Sequence, residues 1–424
     1  MSTIAGPQTT RSIWANRPFL RYWTGHGASQ LGDEVSAIAV PFTAATMLDA
    51  SPSQVGVLTA AFWVPALFSL PVGTWVDGHP HHRRLLVTAN LVQCAAVLSV
   101  PVAYLLGGLS VTLLCVAALG LGAGGVLYYT TYPGFFARLV PRTQYVPANS
   151  LLSTTKSLAD LTGRAVGGLL IRAVTAPIAM LVDAVSFLVS ALLIRTVRLE
   201  HAPPGGLEPE AEPRAETFAQ RMRVGVGYLR AHPYLRASMT CSTILNFASF
   251  VAQALLVLYA TRQLGLGAGQ LGAALAVGAL GGLVGAAVAG AVARRIGTGP
   301  TIATGAVLNT LPLAALPLAE GGEARAMLVL AAVELVAGIG VMLYDVNNNA
   351  VRAAVTRDDM RSRVSGAYST INYGIRPLGA LAGGFLAEAV GIPVTLVVAG
   401  VLGSLAVLPL LRSPVLTVRS VDDL

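Results

Sequence analysis

Twelve apolar runs, each close to the length of a bilayer-spanning helix, follow one another along this chain. Short stretches rich in Gly, Pro and Arg separate them. The runs fall at 19–48, 54–76, 85–107, 110–136, 146–172, 176–196, 235–261, 269–293, 300–319, 326–350, 363–389 and 392–411. A helix crossing a bilayer needs about 20 mostly apolar residues, and its backbone groups must be satisfied internally because no water reaches them. Of the 424 residues, 54% are hydrophobic and 11% are charged, against roughly 25% charged in an ordinary soluble domain. That pattern excludes a soluble enzyme, a disordered chain and a single-pass receptor, and predicts an all-α membrane protein. No cleavable signal peptide is expected, because the first apolar run is long and lacks a small-residue cleavage site.

Residue usage narrows the function classes. Cys94, Cys115 and Cys241 all lie inside apolar runs, where a thiol behaves as a small hydrophobe, so no metal site is expected. The single lysine, Lys156, follows Thr155 and not a glycine, so there is no phosphate-cradling Gly-Lys-Ser/Thr loop. Gly120-Gly122-Gly125 and Gly267-Gly269-Gly272 match a dinucleotide fingerprint, but no strand precedes either. Small residues that let membrane helices approach closely explain them better. No cofactor and no catalytic residue is expected. The shortage of Lys beside abundant Arg, Ala, Gly and Pro points to a GC-rich, bacterial genome.

The two halves repeat at a nearly constant offset. Ser53-Gln54-Val55-Gly56 matches Gly269-Gln270-Leu271-Gly272, and Tyr128 matches Tyr344, both 216 residues apart. Ala165-Val166-Gly167-Gly168-Leu169-Leu170 matches Leu381-Ala382-Gly383-Gly384-Phe385-Leu386 at the same offset. Leu20-Arg21 and Gly73 find counterparts in Leu235-Arg236 and Gly290. A duplicated six-helix unit follows, with twelve transmembrane helices in two pseudo-symmetric bundles and a site between the halves. The expected units are 1–198, a polar linker at 199–233, and 234–424. The linker's second part, 215–231, reads as an amphipathic helix on the membrane surface, with Phe218, Met222 and Leu229 on one side.

Arginine placement sets the expected orientation. Alternate loops and tails on one side carry 22 basic residues, and the other side carries only Arg172, Arg262 and Arg325. Both termini are therefore expected in the cytoplasm, with the chain multi-pass in the plasma (inner) membrane. The net charge of +8 is thus a topological signal. It calls for no nucleic-acid partner.

Several motifs resemble the major facilitator superfamily, and within it the bacterial exporter branch that contains siderophore and drug efflux proteins. They are Gln30-Leu31-Gly32-Asp33, Ala148-Asn149-Ser150, Asp183-Ala184-Val185-Ser186-Phe187 and Tyr228-Leu229-Arg230-Ala231-His232-Pro233, with Arg361-Ser362-Arg363-Val364 and Arg376-Pro377-Leu378-Gly379. The segment from Gly73 through Asp77 to Arg83 and Arg84 corresponds to the family's gating loop. The resemblance implies that Asp77 locks the outward-facing state by pairing with arginine and a facing helix N-terminus, where an anion is favoured. Gly78 and Pro80 depart from the usual pattern, and a solvated loop acid is the competing reading. Asp345, Arg361 and Arg363 are the gating candidates of the second half. A solvated loop is the expected setting of His79, His81 and His82. The family's antiporter motif has proline where Arg164 stands here, and the arginine expected in the fourth span is missing.

Ionisable residues inside a span are costly and are functional candidates by default. Asp33 and Glu34 lie some 13 residues into the first span, about 20 Å deep at 1.5 Å per residue. Asp33, Glu34 and Glu334 are the proton-coupling candidates. Lys156, Asp160 and Arg164 recur every four residues and share one helix face. They either bind substrate or form a static network. Asp160 and Arg376 occupy equivalent positions 216 apart, which suggests a contact between the halves in one state. Asp183 is read as structural. Gln30, Trp63, Tyr129, Asn246 and Tyr373 complete the cavity candidates. The expected function is export of a small amphipathic organic compound (a drug, antibiotic or siderophore-like metabolite) by proton antiport with alternating access, by a monomer. The alternatives are a proton-coupled importer, a facilitative uniporter, or a non-transporting sensor or assembly protein.

Overall fold

The computed structural model describes residues 12–197 and 218–424. Among them there is no strand. The helices are α1 (Arg17–Thr46), α2 (Pro52–Trp63), α3 (Ser69–Asp77), α4 (His82–Leu105), α5 (Val111–Leu139), α6 (Tyr145–Ala173) and α7 (Ala176–Thr196). After the linker come α8 (Phe218–Ala231), α9 (Pro233–Arg262), α10 (Ala268–Ile296), α11 (Thr298–Thr310) and α12 (Glu323–Val355). Then follow α13 (Arg361–Val390), α14 (Ile392–Ser404) and α15 (Leu408–Leu411).

These elements make twelve crossings. Three are broken where proline removes a backbone donor. The second crossing is α2, a 3-10 stretch at Val64–Phe68 containing Pro65, and α3. The ninth continues from α11 into a 3-10 stretch at Leu311–Ala319 with Pro312 and Pro317. The twelfth runs from α14 through Leu405–Val407 into α15. Nine crossings are apolar enough to span a membrane on composition alone. The other three are α1, α6 and α13, which have 30, 29 and 30 residues and carry most of the polar candidates. Their polarity is the cost of lining an interior.

The repeated landmarks have physical roles. Gln54 and Gln270 each turn back to accept a backbone N–H at the start of their helix, from Ser51 and Gly267, both at 2.8 Å. The repeated glycines mark two close crossings between the halves. α2 packs on α13 and α6 on α10. A Cβ on Gly56 would stand 3.0 Å from Gly384 Cα, and one on Gly168 would stand 3.1 Å from Gly272 Cα. Only glycine permits such backbone approach.

Polar contacts reinforce the same end. Ser53 N and Ser51 Oγ donate to the Glu388 carboxylate at 3.1 and 3.3 Å. Arg262 donates to the Ala45 carbonyl at 2.9 Å and pairs with Asp49 at 2.7 Å. Toward the other, arginine-rich end, Tyr145, Asn149, Ser150, Ser153 and Thr154 of α6 line a shallow surface hollow. The halves are joined at the Arg262 end: α13 packs extensively on α2 and only slightly on α3, which lies toward the arginine-rich end.

The linker helix α8 docks on the second half. Gly225 of α8 sits against the Arg363 carbonyl. Met222, Val226 and the fully buried Leu229 pack with Met360, Val364, Ala367 and Tyr368. These side chains pack on α13 and α9. The side chains of Phe218 and Arg221 lie outside the described residues, as do Arg11, Arg198, Arg214 and Glu208, Glu210, Glu212 and Glu216.

Candidate functional site

Three helices bring the charged residues together. Glu34 of α1 accepts from Arg164 Nε of α6 at 2.8 Å, and Lys156 Nζ lies 4.0 Å from its other oxygen. Lys156 also donates to Asp160 at 2.5 Å. The α6 ladder is thus tied to α1 through Glu34, which a Cβ on Gly163 would meet at 2.7 Å. Arg164 also interacts electrostatically with Glu334 of α12, and a Cβ on Gly278 would meet Glu334 at 3.0 Å. Arg164 therefore feels a carboxylate of each half.

Asp33 points elsewhere, as the 100° turn between neighbours requires. It is half-buried and feels Asp183, Glu34 and Lys156. It accepts no hydrogen bond and forms no ion pair among the described residues. Asp183 is 0% exposed and accepts from Ser36 Oγ and, at 3.3 Å, from Ser186 Oγ. It seals the seam where Gly32 meets α7. One turn before Asp33, Gln30 Nε2 reaches Tyr129 Oη at 3.5 Å. Below them, Tyr128 Oη donates to Tyr22 Oη and meets His26 Nδ1, both at 3.1 Å.

The second half holds a different cluster. Arg376 Nε donates to Asn246 Oδ1 at 3.2 Å, and Asn246 Nδ2 donates to Asn372 Oδ1 at 3.1 Å. Ser242 Oγ donates to the same oxygen at 2.7 Å. The guanidinium lies 4.3 Å from the Trp63 ring centroid, 4.5 Å from Tyr373 and 5.0 Å from Phe250. Asp160 and Arg376 do not pair in this conformer. Each is held within its own half's network, apart from the contact of Arg376 with Trp63.

The gating candidates are dispersed. Asp77 is exposed at the end of α3 and forms no ion pair among the described residues. Arg83 donates to the Val197 carbonyl at 2.9 Å, closing the end of α7. Arg84 is exposed, and a Cβ on Gly73 would lie 3.9 Å from Thr130 of α5. Asp345 is exposed and interacts electrostatically with Arg376 and Arg352. Arg361 pairs with Asp358 at 2.9 Å, and Arg363 lies under α8. Of the three histidines, His81 is exposed and the His79 ring lies tilted against Trp75 with centroids 4.1 Å apart, whereas His82, expected in a solvated loop, opens α4 and is 7% exposed against Gly134. Among the described residues no cluster of His, Cys, Asp and Glu is arranged to hold a metal.

Sequence reasoning missed Phe250, Asn372, Ser242 and His26. A signal existed for each, Ser242 preceding Asn246 by four residues. Phe250 follows Asn246 by four residues, Asn372 precedes Arg376 by four, and His26, Gln30 and Asp33 form a stripe on one face of α1.

Two related six-helix halves around a charged interior define a multi-pass membrane transporter. The chain belongs to the Major Facilitator Superfamily, whose profile matches residues 22–380 and 239–420. It is similar to the multidrug efflux pump Tap of Mycobacterium tuberculosis, at 31% identity over 373 residues, covering 86% of this chain and 85% of that one. The Tap pump of Mycolicibacterium fortuitum is 27% identical over 379 residues, covering 86% and 88%. Among solved structures, a bacterial homologue of the iron transporter ferroportin in an inward-facing state superposes with TM-score 0.68 at 17% identity, covering 95% and 100%. The nucleoside transporter NupG superposes with TM-score 0.67 at 12% identity, covering 93% and 98%. Members of this family are transporters and not enzymes.

Proposed function

We propose that this protein exports a small amphipathic organic compound in exchange for protons. The bundles 1–198 and 234–424 rock about the interior site, and 199–233 connects them. The working unit is a monomer. With both termini in the cytoplasm, as the arginine distribution favours, the Arg262 end where the halves are joined faces outward, and substrate enters from the cytoplasm. Similarity to efflux pumps supports the outward direction.

The observation that carries the coupling is the contrast between neighbouring acids. Glu34 is held by Arg164, whereas Asp33 has no fixed partner in a half-buried interior setting. An acid with no committed counter-ion takes up and releases a proton with little rearrangement of its neighbours. Asp33 is the principal proton carrier. Glu334 is the second site, interacting electrostatically with Arg164 from the other half. When Glu334 is ionised it competes with Glu34 for that guanidinium, which links protonation to the relation between halves.

Asp33→Asn in inverted vesicles under an imposed pH gradient is expected to lower gradient-driven flux at least about tenfold. Exchange of substrate without a gradient should persist, because only the proton step is lost. Gradient-driven export with wild-type pH dependence in D33N would show that Asp33 is not the carrier.

A further inference from the structure

The Arg376 site has the construction of a receptor for an organic cation. Trp63 comes from α2 in the first half, and Phe250 and Tyr373 come from α9 and α13 in the second. Trp63 and Tyr373 lie nearly parallel, with centroids 6.2 Å apart and 12° between planes. Phe250 stands edge-on to Trp63 at 5.2 Å and 85°. Three ring faces thus converge on one guanidinium at 4.3–5.0 Å. The attraction is between a positive charge and the negative ring faces, and an organic cation satisfies it equally well.

Electrostatics favour an incoming cation over an anion. Inside the spans lie the carboxylates of Asp33, Glu34, Asp160, Asp183, Glu334 and Asp345 and the cations of Lys156, Arg164 and Arg376, with Arg352 beside Asp345. Acids exceed bases, and Asp33 and Asp345 are in no ion pair among the described residues. Asp345 interacts electrostatically with Arg376. It offers the guanidinium a place to go when it leaves the rings. Arg376 is tethered at Nε by a single neutral acceptor, Asn246, so leaving breaks no ion pair.

We infer that Trp63, Phe250 and Tyr373 form a binding site for a lipophilic organic cation, and that Arg376 is its built-in competitor, occupying the site until substrate displaces it. The inference rests on the interior being the substrate path. Because Trp63 belongs to one half and Arg376 to the other, displacement removes a contact between halves at the moment substrate arrives. A state that must first vacate its own site shows weakened apparent affinity, and removing the occupant restores it.

The test uses two four-phenyl ions of the same shape and opposite charge, tetraphenylphosphonium and tetraphenylborate. Binding is measured by scintillation proximity on the purified full chain. Arg376→Gln and Arg376→Met are expected to bind the phosphonium about tenfold more tightly than wild type, and the borate no more tightly. Arg376→Lys, a weaker occupant of a stacked site, should fall between. Trp63→Leu should lose phosphonium affinity even when combined with R376Q. Unchanged or weaker phosphonium binding in both neutral variants, with monodisperse protein, would overturn the inference. If those variants still export neutral amphipathic compounds, the proposed function survives that failure. If wild type binds neither ion and exports nothing, both readings fall.

Discussion

The crossing of α6 and α10 offers a direct mechanical test of the closed end. A Cβ placed on Gly168 would lie 2.5 Å from the Ala268 carbonyl oxygen and 3.1 Å from Gly272 Cα. Both obstacles are backbone, so no side chain can swing away. Restoring ordinary contact requires the helices to part by about 1 Å. Over-packing of this kind costs roughly 1–3 kcal/mol. The strain exists only while this end is shut, so it acts as a differential energy between conformers. That corresponds to a shift of about 5- to 150-fold away from this conformer. The readout is a short bifunctional thiol cross-linker between cysteines introduced at Ser53 and Glu388, which meet across the other crossing. Gly168→Ala should slow cross-linking several-fold or more. Gly227→Ala, where a Cβ would meet nothing within 4 Å, should leave it at the wild-type rate. Equal cross-linking in Gly168→Ala and wild type, at matched expression and folding, would show that the glycine crossing does not set closure.

Two further outcomes follow from the packing. Glu34→Gln and Arg164→Met should each lower the melting temperature in detergent, and the double variant should lose less than their sum. The coupling should be about 1–3 kcal/mol, because the pair is charge-assisted but Arg164 is partly exposed; strict additivity would mean no pair exists. Leu229→Ala should cost about 2–5 kcal/mol of local packing, since the side chain is fully buried. Limited proteolysis should then cut α8 faster, and an unchanged cleavage rate would mean α8 is not docked on α13.

Much of the architecture is written locally. Span length, the arginine bias of alternate loops and the 216-residue repeat each depend on residues close in sequence or on counting. Even the glycine crossings are visible as paired landmarks, Gly56 with Gly272 and Gly168 with Gly384, although the repeat does not say which glycine meets which. The contacts exchange partners, Gly56 with Gly384 and Gly168 with Gly272, because the second helix of each half packs on the fifth of the other.

Chemistry inside the membrane followed a different rule. The spacing of Lys156, Asp160 and Arg164 places them on one face, yet their partner Glu34 comes from 130 residues away for Arg164. Nothing in a single helix tells Asp33 from Glu34. Two adjacent acids differ only in direction, and direction acquires meaning when α6 arrives on one side and α7 on the other. Trp63 and Arg376 likewise carry no mutual signal, being more than 300 residues apart. The sequence alone determined that this chain crosses a membrane twelve times as two copies of one unit, because burial in lipid is enforced residue by residue. Which acid is committed, which is free and what fills the aromatic cage were decided only by the tertiary structure, because each depends on how helices distant in the chain face one another.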